Sequence, residues 1–112
     1  MLMLDANAFI GWENRTFDLP LYLRGRGSEV VAVSAVVWEQ LWFGAEHFEP
    51  ARAAKRRRFL ADIFPHLRVV AFDMAQAREA ATLDARLKVS GQQIGYADTL
   101  IAAAALVHGA EL

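Results

Sequence analysis

Three acidic residues stand in the most apolar stretches of the sequence, where carboxylates are uncommon. They are Asp5, Glu39 and Asp98, and none has a lysine or arginine close to it in sequence. A carboxylate among apolar side chains must be paired with a cation, protonated or bound to a metal ion. Carboxylate oxygens without an adjacent histidine or cysteine are ligands that Mg²⁺ and Mn²⁺ prefer. The residue types therefore predict a shared site for Mg²⁺ or Mn²⁺.

The three acids can also be explained one at a time, without any metal. Asp5 would then be a turn residue after a strand, Glu39 a solvent-facing helix residue, and Asp98 an acid that stabilises a helix N-terminus through the helix dipole. Two carboxylates about 4 Å apart repel by about 4 kcal/mol at an effective dielectric of about 20, so converging acids need a counter-ion. The shared site is favoured because all three acids are predicted to fall toward one edge of a sheet.

The elements that would position these acids alternate between strands and helices. The predicted strands cover 1–4, 29–33 and 67–72, and a further strand would begin at 110–112. The predicted helices are a short one that follows residues 5–7 and runs through 10–12, and longer ones over 35–47, 49–64, 74–89 and 96–108. This alternation predicts an α/β fold in three layers, α/β/α, with a parallel sheet. Ligands of such sheets bind at the carboxyl ends of the strands, which is where the three acids would lie.

Capping residues mark the ends of several predicted helices. Ser34 is the predicted N-cap of 35–47, and Asp73 forms a capping box for 74–89 with Gln76 three residues later. Gly109 would follow the last helix as its C′ glycine. The apolar residues at i, i+4 and i+8 of the helix 35–47 predict its buried face: Val37, Leu41 and Ala45.

Length and composition exclude several classes of protein. The chain has 112 residues, is 55% hydrophobic and carries a formal net charge of −1, so we expect one folded domain over residues 1–112. The absence of cysteine excludes disulfides and thiolate metal sites and suits a reducing compartment, for which the cytoplasm is the default. The longest apolar stretch, 100–107, is far shorter than the roughly 20 residues that span a bilayer. A net charge near zero means that any binding to nucleic acid must be local.

A basic run over 55–58 lies on the helix predicted for 49–64. Lys55 and Arg56, together with Arg52, are candidate contacts to the phosphates of a nucleic acid or to a partner. Consecutive helical residues are about 100° apart, so the run cannot form a single stripe. The alternative interpretation is a solvated helix start. The predicted apolar side of this helix consists of Leu60, Ile63 and Phe64.

Several other residues receive structural interpretations. The aromatic residues of the helix 35–47 are expected in the core or at an interface, and Phe43 with Phe48 would form part of a partner groove. Asp84 is assigned to a solvated helix face. The three histidines are expected to be surface or capping groups: His47, His66 and His108.

Three segments together resemble the PIN-domain ribonucleases, and most closely the VapC-type toxins of toxin-antitoxin pairs. The segments are 4–7 (LDAN), 34–39 (SAVVWE) with Gly44 behind it, and 94–103 (IGYADTLIAA). The resemblance implies a metal-dependent endoribonuclease in which Mg²⁺ or Mn²⁺ activates a water for in-line attack on an RNA phosphodiester. It makes Asp5, Glu39 and Asp98 the metal-site acids and Asn7 a supporting hydrogen-bonding residue. It also implies an antitoxin as partner and a homodimer as the usual assembly.

The sequence departs from the family pattern in two places. Ala6 replaces the hydroxyl residue that often follows the first Asp of the family. The chain ends at Leu112, before the further strand and the fourth acid that family members carry, so a C-terminally short fold is expected. These departures leave open a second function, a catalytically impaired PIN-like module that binds an antitoxin or a second copy of itself.

Two further observations bear on function. A haloacid-dehalogenase-like phosphatase would need an Asp where Asn7 stands, and a receiver domain would need a Lys after a strand, whereas Lys88 lies within a predicted helix. Other α/β phosphate-handling domains are therefore disfavoured. The stretch 100–107 is apolar all round its helix, so one side would lack cover, and we expect a second chain to fill that side.

Overall fold

The computed structural model of the chain describes residues 1–27, 30–47 and 49–111. Within these residues the strands are β1 (Leu2–Leu4), β2 (Val31–Ser34) and β3 (Arg68–Val70). The helices are α1 (Ala6–Glu13), α2 (Leu19–Arg24), α3 (Ala35–His47), α4 (Pro50–Ile63), α5 (Met74–Val89) and α6 (Tyr96–Val107). The predicted α/β fold is confirmed, and no helix in this described part of the chain has the length and apolar character to cross a membrane.

The three strands form one parallel sheet in the order β1-β2-β3. Leu4 of β1 is the register partner of Val33, which is in turn the partner of Val69 in β3. On the other side of β1, Glu111 forms an isolated parallel bridge with Leu2, and the backbone N–H of Met3 donates to the Glu111 carbonyl at 2.7 Å. The strand expected to begin at 110–112 therefore pairs with β1 at Glu111, while Leu112 lies outside the described residues.

Two hydrophobic clusters cover the opposite faces of the sheet, because successive strand residues point to opposite sides. On one face, Leu4 and Val33 pack with residues of α1, α2, α3 and α4. On the other face, Met3 and Ala32 pack against Ala104 and neighbouring residues of α6. This arrangement confirms the predicted α/β/α layers, with α5 packed along α6 in the second helical layer.

The expected capping residues begin both α3 and α5. Ser34 is fully buried, and its hydroxyl accepts a hydrogen bond from the backbone N–H of Val36 at 3.1 Å. The carboxylate of Asp73 accepts from the backbone N–H of Gln76 at 2.9 Å. The reciprocal half of the capping box is absent, because the buried Gln76 side chain instead donates to the Ala71 carbonyl at 2.8 Å and lies 3.2 Å from His108 Nε2. Its second amide atom, Oε1, has no partner among the described residues.

The structure differs from the predicted elements in three places. Helix α2 was not predicted, because its six residues include a proline and bury only Leu19; it starts where the Asp18 carboxylate accepts from the backbone N–H of Leu21. Strands β2 and β3 are shorter than, or offset from, the apolar runs that predicted them. The placement of Phe64 on the apolar side of its helix was wrong. Helix α4 ends at Ile63, and Phe64 opens a 3₁₀ turn in which it is 53% exposed.

An ion pair ties the end of the described chain to the segment after α2. Arg26 Nη2 lies 2.6 Å from Glu111 Oε2. The hydrogen bond and the positive charge of Arg26 hold the pKa of Glu111 below its ordinary value. The contribution of this pair to stability is therefore present above the ordinary pKa of a glutamate and is lost as the pH falls through the lowered pKa.

Candidate active site

Asp5 directly follows β1 and serves as the N-cap of α1. Its Oδ1 accepts a hydrogen bond from the backbone N–H of Ala8 at 3.2 Å, and its side chain is exposed. Because one oxygen makes the cap, Oδ2 remains available to solvent or a ligand. Asp5 therefore acts as a turn residue through Oδ1, as the metal-free interpretation expects, and this role leaves Oδ2 unused.

Glu39 lies in the second turn of α3, which begins directly after β2. Its side chain is exposed and makes no hydrogen bond or ion pair with any residue that the structure describes. Val37 and Leu41, two residues away on either side, are buried in the core. Since residues two apart on a helix point in different directions, this core contact directs Glu39 outward.

Asp98 lies in the first turn of α6, where its charge is favourable to the helix dipole. Ile101, one turn further along, packs in the same cluster as Leu4 and Val37. The start of α6 therefore lies beside the carboxyl end of β1 and the first turns of α3. A Cβ atom at Gly95 would lie 3.3 Å from Asp98 Oδ2, so glycine leaves room for this carboxylate. The role of Gly95 was not predicted from the sequence. A glycine directly before a helix, three residues ahead of an acid, would have been the signal for it.

The structure brings the three acids to one edge of the sheet but not into a closed cluster. Asp5, Glu39 and Asp98 are all exposed, so the expectation that they sit in apolar surroundings was wrong. Their apolar neighbours in sequence point into the core and leave the acids on the outer side. Across residues 1–27, 30–47 and 49–111, no three acidic or histidine side chains lie close enough together to hold a metal ion as a group.

The chemistry of these donors nevertheless fits a hard divalent cation. All three are carboxylates, and none is engaged in an ion pair with a described residue. Mg²⁺ keeps several of its waters and is usually bound through one or two carboxylates. Asn7, the expected supporting residue, is exposed on α1, and its side chain makes no hydrogen bond to the described part of the chain.

One of the three predicted basic contacts, Arg56, lies in the protein interior and not on the surface. Arg56 is only 5% exposed, so its interpretation as a surface contact was wrong. Its Nε lies 2.8 Å from Glu13 Oε2, and its Nη1 donates to the Leu41 carbonyl at 3.3 Å. Arg52 and Lys55, on the same helix, are exposed as expected. Glu13 had no predicted role, because its partner is 43 residues away in sequence.

A cavity of about 290 Å³ lies between α5 and α6, beside the turn that carries Asp98. Its lining includes Asp84, which was assigned to a solvated helix face and is half-buried. The complete lining is Phe72, Ala77, Ala80, Ala81, Asp84, Tyr96, Thr99 and Leu100.

Comparison with known proteins assigns the family. A model of the PIN domain matches residues 2–112. The chain is 39% identical to VapC ribonuclease Y4jK of Sinorhizobium fredii, over 97% of this chain and 82% of that protein.

Solved structures share the fold. VapBC2 from Rickettsia felis, bound to a DNA fragment from its promoter, superposes with a TM-score of 0.84 and 23% identity over 97% of this chain and 82% of that one. FitAcB from Neisseria gonorrhoeae gives a TM-score of 0.79 and 26% identity over 98% of this chain and 84% of that one. The chain therefore belongs to the PIN-domain family and, within it, to the VapC ribonucleases.

Proposed function

We propose that this chain is a metal-dependent endoribonuclease that hydrolyses RNA phosphodiester bonds at the edge of the sheet where Asp5, Glu39 and Asp98 lie. The observation that carries this proposal is the placement of three exposed carboxylates at that edge of a PIN fold. Bound Mg²⁺ or Mn²⁺ would supply an activated water and stabilise charge on the phosphate.

The folded chain would hold the carboxylates of Asp5 and Glu39 in position for the ion. The cap bond from the backbone N–H of Ala8 holds Oδ1 of the Asp5 carboxylate, and Oδ2 would be the atom that binds the ion. Glu39 lies on α3 between the buried residues Val37 and Leu41, and their packing in the core fixes the position of its backbone. Arg52 and Lys55 are proposed contacts to RNA phosphates or to a partner, because both are exposed cations on α4.

The experiment incubates the purified chain with a mixed pool of single-stranded RNA, with MnCl₂ or MgCl₂ and with EDTA. We expect cleavage that depends on the divalent ion and that spares single-stranded DNA of the same sequences. If the RNA pool stays intact with both ions, the chain is the catalytically impaired binding module instead. The same protein would then still be expected to bind an antitoxin.

We propose an antitoxin peptide as the protein partner, docked between α3 and α4. One solved structure with this fold is a toxin-antitoxin complex from Klebsiella pneumoniae, and another, VapBC-5 from Mycobacterium tuberculosis, is a member of a family of toxin-antitoxin systems. An apolar groove of about 370 Å³ lies between these helices, and Trp38 contacts the exposed Phe64 ring at 5.5 Å. Phe43 is also exposed, whereas Phe48 lies outside the described residues. We expect Phe64→Ser to weaken antitoxin binding in calorimetry at least about tenfold, and equal affinity would contradict this docking site.

We propose that a second copy of the chain covers the apolar groove between α5 and α6. Most of α6 is buried, but Leu106 is 57% exposed and lines a groove of about 420 Å³ together with Leu83, Leu87 and Ile94. Light scattering at micromolar concentration should give twice the chain mass of 12.5 kDa. Leu106→Glu should give a monomer, and Val89→Glu, an exposed position outside the groove, should not. A monomeric parent protein would contradict the proposal.

We propose the cytoplasm as the place of action, because the RNA substrate is abundant there and a chain without cysteine needs no oxidising compartment.

A further inference from the structure

The cavity between α5 and α6 lies at the same end of α6 as Asp98, on the side of that helix that faces α5. Tyr96 and Leu100, which line it, are each two positions from Asp98, so the Asp98 carboxylate points to a different side of α6. Phe72, from the segment that follows β3, also lines it. An RNA strand held at the carboxyl edge of the sheet would therefore reach this cavity with a neighbouring nucleotide that passes round the start of α6.

The aromatic residues of this cavity are suited to a flat ligand. Tyr96 is 77% exposed, although a tyrosine ring of this size normally gains from burial. Phe72 is half-buried in the same lining. Unstacked bases of single-stranded RNA are commonly held by stacking on aromatic side chains.

Asp84 gives the cavity an acceptor that the fold does not use. Its half-buried carboxylate makes no hydrogen bond or ion pair with any described residue. The other polar side chain deep in the lining, Thr99, already donates its hydroxyl to the Gly95 carbonyl at 3.2 Å. A carboxylate accepts hydrogen bonds and donates none when ionised, so a ligand here must bring donors. Guanine presents two adjacent donors, N1–H and its amino group, which the two oxygens of one carboxylate can accept together, whereas uracil presents the single donor N3–H.

We propose that this cavity receives one base of the single-stranded RNA substrate, with Tyr96 as the stacking surface and Asp84 as the residue that selects guanine over uracil. The inference rests on the proposed ribonuclease function, since it concerns the specificity of that site. It assigns Asp84 a role in substrate choice and none in the chemical step.

Cleavage kinetics on short RNAs that differ at a single position test the role of Asp84. The parent protein should prefer guanine over uracil at one position near the cut, by at least about fivefold in kcat/KM. Asp84→Ala should reduce that ratio toward one, whereas Glu79→Gln, an acid on the same helix outside the lining, should preserve it. A purely structural defect would slow all substrates equally and leave the ratio unchanged, and that result would overturn the proposal.

A binding measurement keeps the inference testable if the parent protein cuts no RNA. Fluorescence anisotropy with the Asp98→Asn variant compares a labelled RNA with the same RNA carrying one abasic position. We expect the abasic RNA to bind at least about fivefold more weakly, and Tyr96→Leu in that background to remove the difference. Equal binding of the two RNAs would overturn the base pocket, while absent cleavage with base-dependent binding would overturn only the nuclease proposal.

Discussion

Replacing Asp5 or Asp98 by asparagine should lower the rate of metal-dependent RNA cleavage at least about a hundredfold while leaving the fold intact. Activation by a bound metal contributes several kcal/mol to transition-state stabilisation, and a loss of about 3 kcal/mol corresponds to about a hundredfold in rate. Asparagine is as good an N-cap as aspartate, so Asp5→Asn can keep the hydrogen bond from Ala8. The initial rate of cleavage in MnCl₂, with a thermal melt of each variant, measures both effects.

Asp73, which follows β3 and caps α5, is a matched control for Asp5. Its carboxylate accepts from the Gln76 backbone at 2.9 Å. Asp73→Asn should therefore change stability about as little as Asp5→Asn and leave cleavage unchanged. If both variants lose activity equally, or if Asp5→Asn keeps full activity, Asp5 has no part in the metal site.

Arg56→Met should destabilise the protein by about 3–5 kcal/mol, a large share of the roughly 5–15 kcal/mol that typical domains possess. The Arg56 and Glu13 side chains are only 5% and 8% exposed, and Arg56 Nε lies within 3.0 Å of both carboxylate oxygens of Glu13. Removing the guanidinium leaves a buried carboxylate without its cation, and the Leu41 carbonyl loses a donor. The free energy of unfolding from urea titration measures the loss.

Two companion variants separate the buried charge from the loss of a side chain. Arg57→Met removes a similar pair with Glu46, but both partners are largely exposed, so the loss should be at most about 1 kcal/mol. Adding Glu13→Leu to Arg56→Met should restore much of the stability, because a buried ion pair replaced by apolar residues is often neutral. Equal losses for Arg56→Met and Arg57→Met would contradict the burial of this pair.

Local signals in the sequence were sufficient for most of the fold. Ser34 and Asp73 mark helix starts through side-chain hydrogen bonds to nearby backbone, and such bonds depend on residues two or three positions away. The order of strands and helices likewise follows from short apolar runs. The three acids were placed at one edge because parallel strands share a direction, which is a property of topology.

Features that depend on distant residues could not be predicted in the same way. Arg56 looked like one member of a surface run, and only its contact with Glu13, 43 residues away, shows that it faces inward. Asp84 has the sequence signature of an ordinary helix-face acid, and only the packing of α6 beside α5 shows that it lines a cavity. The acids of the candidate site were expected in apolar surroundings because their neighbours in sequence are apolar. They are exposed because neighbours in sequence point in different directions from a helix or strand.

The Arg56 guanidinium joins the two helices that carry the first two acids. It bonds to Glu13, the last residue of α1, and to the carbonyl of Leu41 in α3, two residues beyond Glu39. Glu13 lies about 12 Å along the helix axis from Asp5, the N-cap of α1. Helices α1 and α3 therefore cannot slide past each other without breaking a buried ionic contact, so the separation between Asp5 and Glu39 is held from a point remote from both. The relative position of two of the proposed site acids is therefore set by a contact in the protein interior.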